Sequence, residues 1–230
     1  MQSSRMSDHD LAVMTRHGWL AQQPAAFRAE VLARALVQTY APGQALYHLG
    51  DPPGGIYGLV SGVMTVTAAP GAALPRTIHV GTPGVWTGEG PYMIGGARRI
   101  GLRAASACRA LHLPLETMEQ MTAADPGVAR RFGQIPLLNI DLLLRMVHDL
   151  LIKDPDRRIG AVLLRATAGG AHAVPLPQEA IGDMACATRK QVGLSLKRLA
   201  AAGWIARGYR SVTVIDPAGL RAFVAVEDEG

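Results

Sequence analysis

The chain has 230 residues, of which 49% are hydrophobic, and a formal net charge of +5 at pH 7. Such a length admits one large domain or two small ones, and the apolar share suffices for packed cores. No apolar run reaches the roughly 18 residues of a membrane span, because Leu137 to Leu144 is interrupted by Asn139 and Asp141. With no apolar signal segment in MQSSRMSDHD, a cytoplasmic protein without membrane partners is expected. Cys108 and Cys186 are far apart and form no CxxC pair, which speaks against a locally built zinc or iron–sulfur site. The charge is uneven. Residues 1–150 carry 12 arginines against 10 acids, residues 151–226 carry 11 Lys and Arg against 5 acids, and Glu227-Asp228-Glu229 returns negative charge at the end. A basic C-terminal third fits a nucleic-acid partner.

In chain order, residues 1–10 are polar and expected to be mobile. Leu11 to Leu36 holds two short helical patterns around Gly18 and Pro24, the second with Phe27, Val31, Leu32 and Leu36 on one face. From Tyr40 the period changes. Turn signals at Pro42-Gly43, Gly50-Asp51, Ser61-Gly62, Pro70-Gly71, Pro83-Gly84 and Gly95-Gly96 separate short apolar runs at Ala45–Leu49, Ile56–Val60, Val63–Thr67, Thr77–Val80 and Leu102–Leu113. Short strands between regular turns argue for a sandwich or barrel.

Leu115 to Met121 reads as a short helix. Asp125-Pro126 then opens a long one to about Lys153, with Asp as N-cap and Pro at the first position. Leu137, Ile140, Leu144, Val147 and Leu151 fall at a and d spacing, a short coiled-coil seam. Leu138, Leu142, Leu143, Met146 and Leu150 widen the apolar surface beyond one stripe, so one side should meet the chain's own strands and the other a second copy. Pro136 is expected to kink or break this helix, at about 3 kcal/mol unless neighbours compensate. Lys153-Asp154-Pro155-Asp156 reads as a hinge before a helix over Ile159 to Ala168, and Gly169 to His172 as a loop.

The most informative stretch is LPQEAIGDMACATRKQVGLSLKRLAAAGW, Leu176 to Trp204. It reads as a helix from about Gln178 to Met184, a tight turn over small residues at Ala185-Cys186-Ala187, and a second helix capped by Thr188. Val192, Leu196 and Leu199 form its apolar stripe. Arg189, Lys190, Gln191, Lys197 and Arg198 take the other faces. Ala206 to Ile215 makes two short strands around Gly208-Tyr209-Arg210, a wing, and Pro217 to Val226 a last helix. A helix-turn-helix sets the start of its second helix in the DNA major groove. Cationic and amide side chains belong there, because Arg and Lys read guanine edges and Gln reads adenine. An ordinary solvated surface helix would carry similar charges; the order of cap, turn and wing favours DNA.

These residues resemble the winged-helix reader of the Crp/Fnr transcription regulators. The match lies in Gln178, Glu179, Ile181, Gly182, Thr188, Arg189, Val192 and Gly193. Cys186 stands at the usual turn Gly, Lys190 where an acid often follows the first Arg, and Leu194 where a second reading Arg is common. The familiar half-site of the catabolite activator therefore does not carry over. The resemblance runs from about Ala25 to Val226 and implies an α+β fold: a jelly roll of the cyclic-nucleotide-binding type over 11–124, a dimerisation helix over 125–153, and a winged helix-turn-helix over 154–226. It implies a regulator rather than an enzyme, with double-stranded DNA, a second copy and RNA polymerase as partners. Arg189, Lys190 and Gln191 are the expected base readers, with Lys197, Arg198, Arg207 and Arg210 on phosphates.

The resemblance also makes GVWTGEGPYMIGGARR the counterpart of the family's phosphate-binding cassette. Gly88 would let backbone approach a phosphate, Glu89 would accept from a ribose hydroxyl, and either Arg98 or Arg99 would pair with the phosphate. Counting forward from Gly88-Glu89 selects Arg99; counting back from Arg103 to Cys108 selects Arg98. Members that respond to cAMP carry a small hydroxyl residue after that Arg and a Thr-Ser pair on the long helix. Here those places hold Arg99 or Ile100, and Leu143-Leu144. Leucines cannot replace hydrogen bonds to a base, so a cyclic nucleotide is allowed by the roll but cAMP is disfavoured. With no cysteine before Cys108, the family's iron–sulfur cluster is not expected.

Two regulator alternatives stay open: one responsive to cAMP, and one active without a small molecule. An enzyme or ligand-binding module with a vestigial winged helix is the rival from another class. Seven scattered histidines offer no i, i+4 metal pair; His79 or His112 as a haem ligand is weaker than the reading as ordinary strand histidines. Ser61 and Ser106 lack a nucleophile-elbow context.

Overall fold

The computed structural model describes residues 6–71, 73–168 and 173–225. The loop expected at Gly169 to His172, the end of the last helix at Val226 and the acidic tail lie outside them. The chain forms two compact units, Met1–Ala73 with Gly81–Asp141, and Leu74–Val80 with Leu142–Gly230.

Three helices open the chain: α1 (Asp8–Arg16), α2 (Gly18–Ala21) and α3 (Ala25–Arg34). Ser7 and Asp10 form a capping box on α1. Asp10 is buried and paired with Arg109 at 2.7 Å. Burial works to raise this carboxyl, but hydrogen bonds from Arg109 and Ser7 outweigh it and hold the pKa below its ordinary value. Part of the stretch expected to be mobile, Ser7 to Asp10, thus caps and begins α1. Helix α3 ends at Arg34, two residues before Leu36, which enters a strand and is exposed.

Eight strands follow: β1 (Leu36–Tyr40), β2 (Ala45–Tyr47), β3 (Ile56–Ser61), β4 (Met64–Ala68), β5 (Arg76–Gly81), β6 (Trp86–Thr87), β7 (Gly101–Ala104) and β8 (Cys108–Leu113). They make two four-stranded sheets with orders β1-β8-β3-β6 and β2-β7-β4-β5. The apolar run Leu102 to Leu113 is two strands, not one, and they serve different sheets. A short helix, α4 (Gly90–Ile94), interrupts the strands.

The core of the first unit gathers Trp19, Phe27, Trp86 and Phe132 with Met14, Leu111, Leu113 and Met118. Trp19 stacks on Phe132 at 5.8 Å and meets Trp86 edge-on at 5.3 Å, while its Nε1 donates to the Arg131 carbonyl at 2.8 Å. Aromatic rings bury large areas each and pack edge-on or offset in this way.

Helices α5 (Leu115–Ala124), α6 (Gly127–Phe132) and α7 (Gln134–Leu151) come next. The long helix expected from Asp125 is therefore two helices. The break falls at Gly133. Pro136 is the third residue of α7, where its missing N–H forfeits no intrahelical bond, and the helix runs unbroken past it to Leu151. Asp125 ends α5 and accepts from Gly127 N at 2.8 Å. Ile135 is buried and Leu138 packs on the first core, whereas Leu137, Ile140, Leu144, Val147 and Leu151 are exposed in the single chain.

The second unit holds α8 (Pro155–Ala166), β9 (Ala173–Val174), α9 (Gln178–Ala185), α10 (Arg189–Ala201), β10 (Ile205–Gly208), β11 (Ser211–Val214) and α11 (Pro217–Val224). Asp154 caps α8 by accepting from Arg157 N at 2.9 Å. Ile159, Val162 and Leu163 pack in a core shared with Ile181, Val192, Leu196, Leu199 and Leu220. The strands form one antiparallel sheet of order β10-β11-β9.

Cys186 ends α9 in the left-handed region at φ 49°. A side chain there costs about 1–2 kcal/mol relative to right-handed backbone, and Gly is the usual occupant. Cys186→Gly is expected to raise the urea midpoint of the second unit by the equivalent of up to about 1 kcal/mol, after allowing for Gly's roughly 0.5–1 kcal/mol of extra chain entropy. A lower midpoint would mean that the thiol makes a stabilising contact.

Candidate nucleic-acid interface and ligand pocket

The start of α10 is fixed by two reciprocal bonds. Thr188 Oγ1 accepts from Gln191 N at 3.3 Å, and Gln191 Oε1 accepts from Thr188 N at 2.8 Å. This capping box satisfies donors that would otherwise be orphaned. It also commits Gln191's acceptor oxygen, leaving its amide Nε2 as the group free to meet a partner. Arg189, Lys190 and Lys197 are exposed, as are Arg207 and Arg210 on the wing. Thr188, Arg189, Gln191, Arg207, Tyr209 and Arg210 are among the residues lining a groove of about 1010 Å³ between α10 and the wing.

Arg198 differs from the other expected phosphate contacts. Its Nη2 donates to Asp156 Oδ1 at 2.7 Å and its Nε to Oδ2, while Ser195 Oγ donates to the same carboxylate. Arg198 therefore ties α10 to the first turn of α8 rather than standing free. The Arg198 bonds hold the Asp156 carboxyl below its ordinary range, against a smaller opposing effect of burial. A depressed carboxylate pKa adds stability above the unfolded value and loses it as pH falls through the folded one. The second unit should thus loosen in acid below about pH 4.

Arg158, behind the motif, donates from Nε to the Ala185 carbonyl at 2.5 Å and from Nη1 to that of Ile152 at 2.6 Å. It thereby caps the carbonyl ends of α9 and α7 together. Local spacing did not reveal the bonds of this arginine or of Asp156, whose partners lie up to 42 residues away.

In the first unit the choice between the two arginines is resolved. Arg98 is 4% exposed and Arg99 is exposed. The Arg98 backbone is pinned to the turn before β3, with its N donating to the Asp51 carbonyl and its carbonyl accepting from Gly50 N. Its Nη1 donates to the Gly88 carbonyl at 2.8 Å, and the guanidinium lies 4.1 Å from the centre of the Tyr47 ring. Gly88 has φ +99°, and a Cβ there would come within 2.7 Å of Arg98 Nη1. Only glycine allows that approach.

Glu89 is 7% exposed, and its Oε1 accepts from Asn139 Nδ2 on α7 at 3.0 Å. Its Oε2 and Arg98 Nε are buried without a hydrogen-bond partner. Burial pushes the Glu89 carboxyl above its ordinary pKa, opposed by the hydrogen bonds it accepts and by Arg98. Unpaired buried polar atoms around one guanidinium suit a polar ligand. Asn139 and Tyr47 escaped sequence reasoning, because each meets its partner across a gap of some 50 residues. Leu143 and Leu144 lie on α7 in the second unit and are exposed.

His112 Nε2 faces the Gly54 carbonyl at 2.5 Å, its Nδ1 faces Gln38 Nε2 at 3.3 Å, and its ring stacks on Tyr57 at 4.4 Å. Both ring nitrogens are engaged, which leaves neither for a haem iron. Among the described residues no group of three or more His, Cys, Asp and Glu could hold a metal ion.

A cyclic nucleotide-binding domain matches residues 37–125, and a Crp-like helix-turn-helix domain matches residues 157–223. A sensory roll followed by this reader on one chain defines a class of transcription regulators. The two domains together give this chain the fold of a Crp/Fnr-type transcription regulator. No curated protein matches it. Solved structures share the fold at low identity. A putative cAMP-binding regulatory protein from Silicibacter pomeroyi DSS-3 is 16% identical, with a TM-score of 0.71 over 96% of this chain and 100% of that one. FixK2 from Bradyrhizobium japonicum is 18% identical, with a TM-score of 0.70 over 84% and 99%. The c-di-GMP responsive global regulator CLP from Xanthomonas campestris is 20% identical, with a TM-score of 0.64 over 83% and 99%.

Arg98→Ala is expected to destabilise the first unit by about 2–4 kcal/mol, because it empties a buried site and orphans the Gly88 carbonyl. Arg99→Ala should stay within about 0.5 kcal/mol of the parent. Thermal unfolding of both variants checks the assignment, and equal effects would overturn it.

Proposed function

We propose that the protein is a homodimeric regulator that binds double-stranded DNA through α10 and the wing, with an effector other than cAMP. The observation that carries the DNA reading is the capped start of α10, which presents Arg189 and Lys190 beside the exposed arginines of the wing. Arg189, Lys190 and the Gln191 amide are the proposed base readers; Lys197, Arg207 and Arg210 take phosphates. Arg198 serves mainly to position α10. The work is divided among a roll over 11–124, a dimerisation segment over 125–153 and a reader over 154–226, acting in the cytoplasm with RNA polymerase as the downstream partner.

The dimer reading rests on α7. Leu137, Ile140, Leu144, Val147 and Leu151 recur at coiled-coil spacing and are uncovered in one chain, Leu151 by 74%. Such a stripe on a soluble protein marks an association face. Two recognition helices related by a two-fold axis would then meet a near-palindromic site in successive major grooves.

The effector reading rests on the pocket. Arg98 supplies the cation for a phosphate and Glu89 an acceptor for a hydroxyl, but the residue after Arg98 is an exposed arginine and not a hydroxyl side chain. CLP shares the fold and responds to c-di-GMP, so the roll itself does not specify cAMP. A regulator needing no small molecule is favoured by one observation: Gly88 and Asn139 already occupy Arg98 Nη1 and Glu89 Oε1 from within the chain.

Calorimetric titration of the nucleotide-stripped protein with cAMP tests the effector reading. No heat at millimolar ligand is expected, and micromolar binding would overturn it. For the DNA reading, Arg189→Ala should cost about 1–3 kcal/mol on a selected duplex and relax preference at one base pair. Equal losses on selected and random duplexes would make Arg189 a phosphate contact. Failure of the parent protein to retard any DNA would revive a ligand-binding module with a vestigial reader.

A further inference from the structure

Tyr209 is 94% exposed, the most exposed of the large hydrophobic side chains. The other four tyrosines are buried or partly buried, and Tyr47, Tyr57 and Tyr92 each pack against another ring. Its position is set by the register of the wing. Gly208 pairs with Ser211, so Tyr209 and Arg210 form a two-residue tip. Arg210 sits in the left-handed region at φ 50°, where glycine would avoid a strain of about 1 kcal/mol. The tip thus carries an exposed ring and a strained cation where small residues would make a better turn. It borders the groove that also exposes Thr188 and Arg189.

Resting on the DNA reading above, we propose that Tyr209 is a DNA contact: its ring lies on a deoxyribose flanking the half-site and its hydroxyl donates to a phosphate oxygen. The chemistry favours the backbone over the bases. A phenol offers one apolar face and one hydroxyl, enough for a sugar and a phosphate but not for a bidentate base edge. Arg207 and Arg210 on either side neutralise the phosphates the hydroxyl would approach. The contact orients the wing, and through it α10, without reading sequence.

The test uses the full chain, a duplex selected from a random pool by the parent protein, and a random duplex of equal length, with binding followed by fluorescence anisotropy across a salt series. Tyr209→Ala should weaken both duplexes by about tenfold per subunit and leave the slope of log K against log salt unchanged. Tyr209→Phe should recover part of the loss. Arg210→Ala should lower the slope by about one. Hydroxyl-radical protection of the sugars outside the half-site should vanish in Tyr209→Ala. Thermal unfolding should not move, because the ring packs on nothing. Parent-like binding by Tyr209→Ala overturns the proposal, and if that variant then fails to support transcription the tip faces a protein. A loss confined to the selected duplex also overturns it, by making Tyr209 a base reader. If the parent binds neither duplex, the DNA reading itself fails and not the assignment of Tyr209.

Discussion

A buried guanidinium is the constraint around which the first unit is built. Arg98 cannot shed its charge, so taking it out of water demands partners from every side. The carbonyl of Gly88 supplies a hydrogen bond and Tyr47 a ring face. Two glycines supply room: a Cβ at Gly54 would lie 3.1 Å from Arg98 Nη2, and one at Gly88 still closer to Nη1. Gly54 in turn offers its carbonyl to His112, whose ring stacks on Tyr57. One charge thus accounts for two glycines, two aromatic rings and a histidine on separate strands and loops. Glu89, next to Gly88, receives the α7 amide of Asn139, which extends the same polar centre to a helix.

The second unit obeys a different constraint, the need to close helix ends. Each helix leaves four donors and four acceptors unpaired. Thr188 and Gln191 close the start of α10, Asp154 the start of α8, and Asp216 the start of α11 by accepting from Gly219 N at 2.9 Å. Arg158 closes the ends of α7 and α9. The basic surface of α10 is what remains after these demands are met. Arg198 is drawn into the Asp156 pair, while Arg189, Lys190 and Lys197 stay in solvent.

What was legible in the sequence follows the range of the interactions. The capping box at Thr188, the small turn and the wing are written within three or four residues, and they stand where their spacing put them. Glycine and proline turns marked the strands from β2 to β5, but β1, which follows α3 with no such turn, and the two-residue β6 were missed, and inside Leu102 to Leu113 three small residues, Ala105-Ser106-Ala107, hide the change of sheet. The helix break was misplaced for a local reason: starting one helix at Asp125 put Pro136 in its interior, whereas a restart after Gly133 puts it in a first turn. The choice of Arg98 over Arg99 was not legible, because adjacent residues differ only in which one the loop turns inward. Asn139 and Asp156 act on partners tens of residues away, and no spacing records that.

Arg158 joins these two kinds of information. Its guanidinium is planar and rigid, and it holds the carbonyls of Ile152 and Ala185 at 2.6 and 2.5 Å. While both bonds persist, the last turn of α7 and the turn before α10 keep a fixed spacing. A displacement at the end of α7 must then carry the start of α10 with it or break a bond to a charged donor, which costs about 1.5–3 kcal/mol. The sequence places Asp154 and Pro155 between these points, a cap and a helix-starting residue that make the connection short and stiff. A stiff connection and a shared cation are what a displacement arising along α7 would require to reach the start of α10.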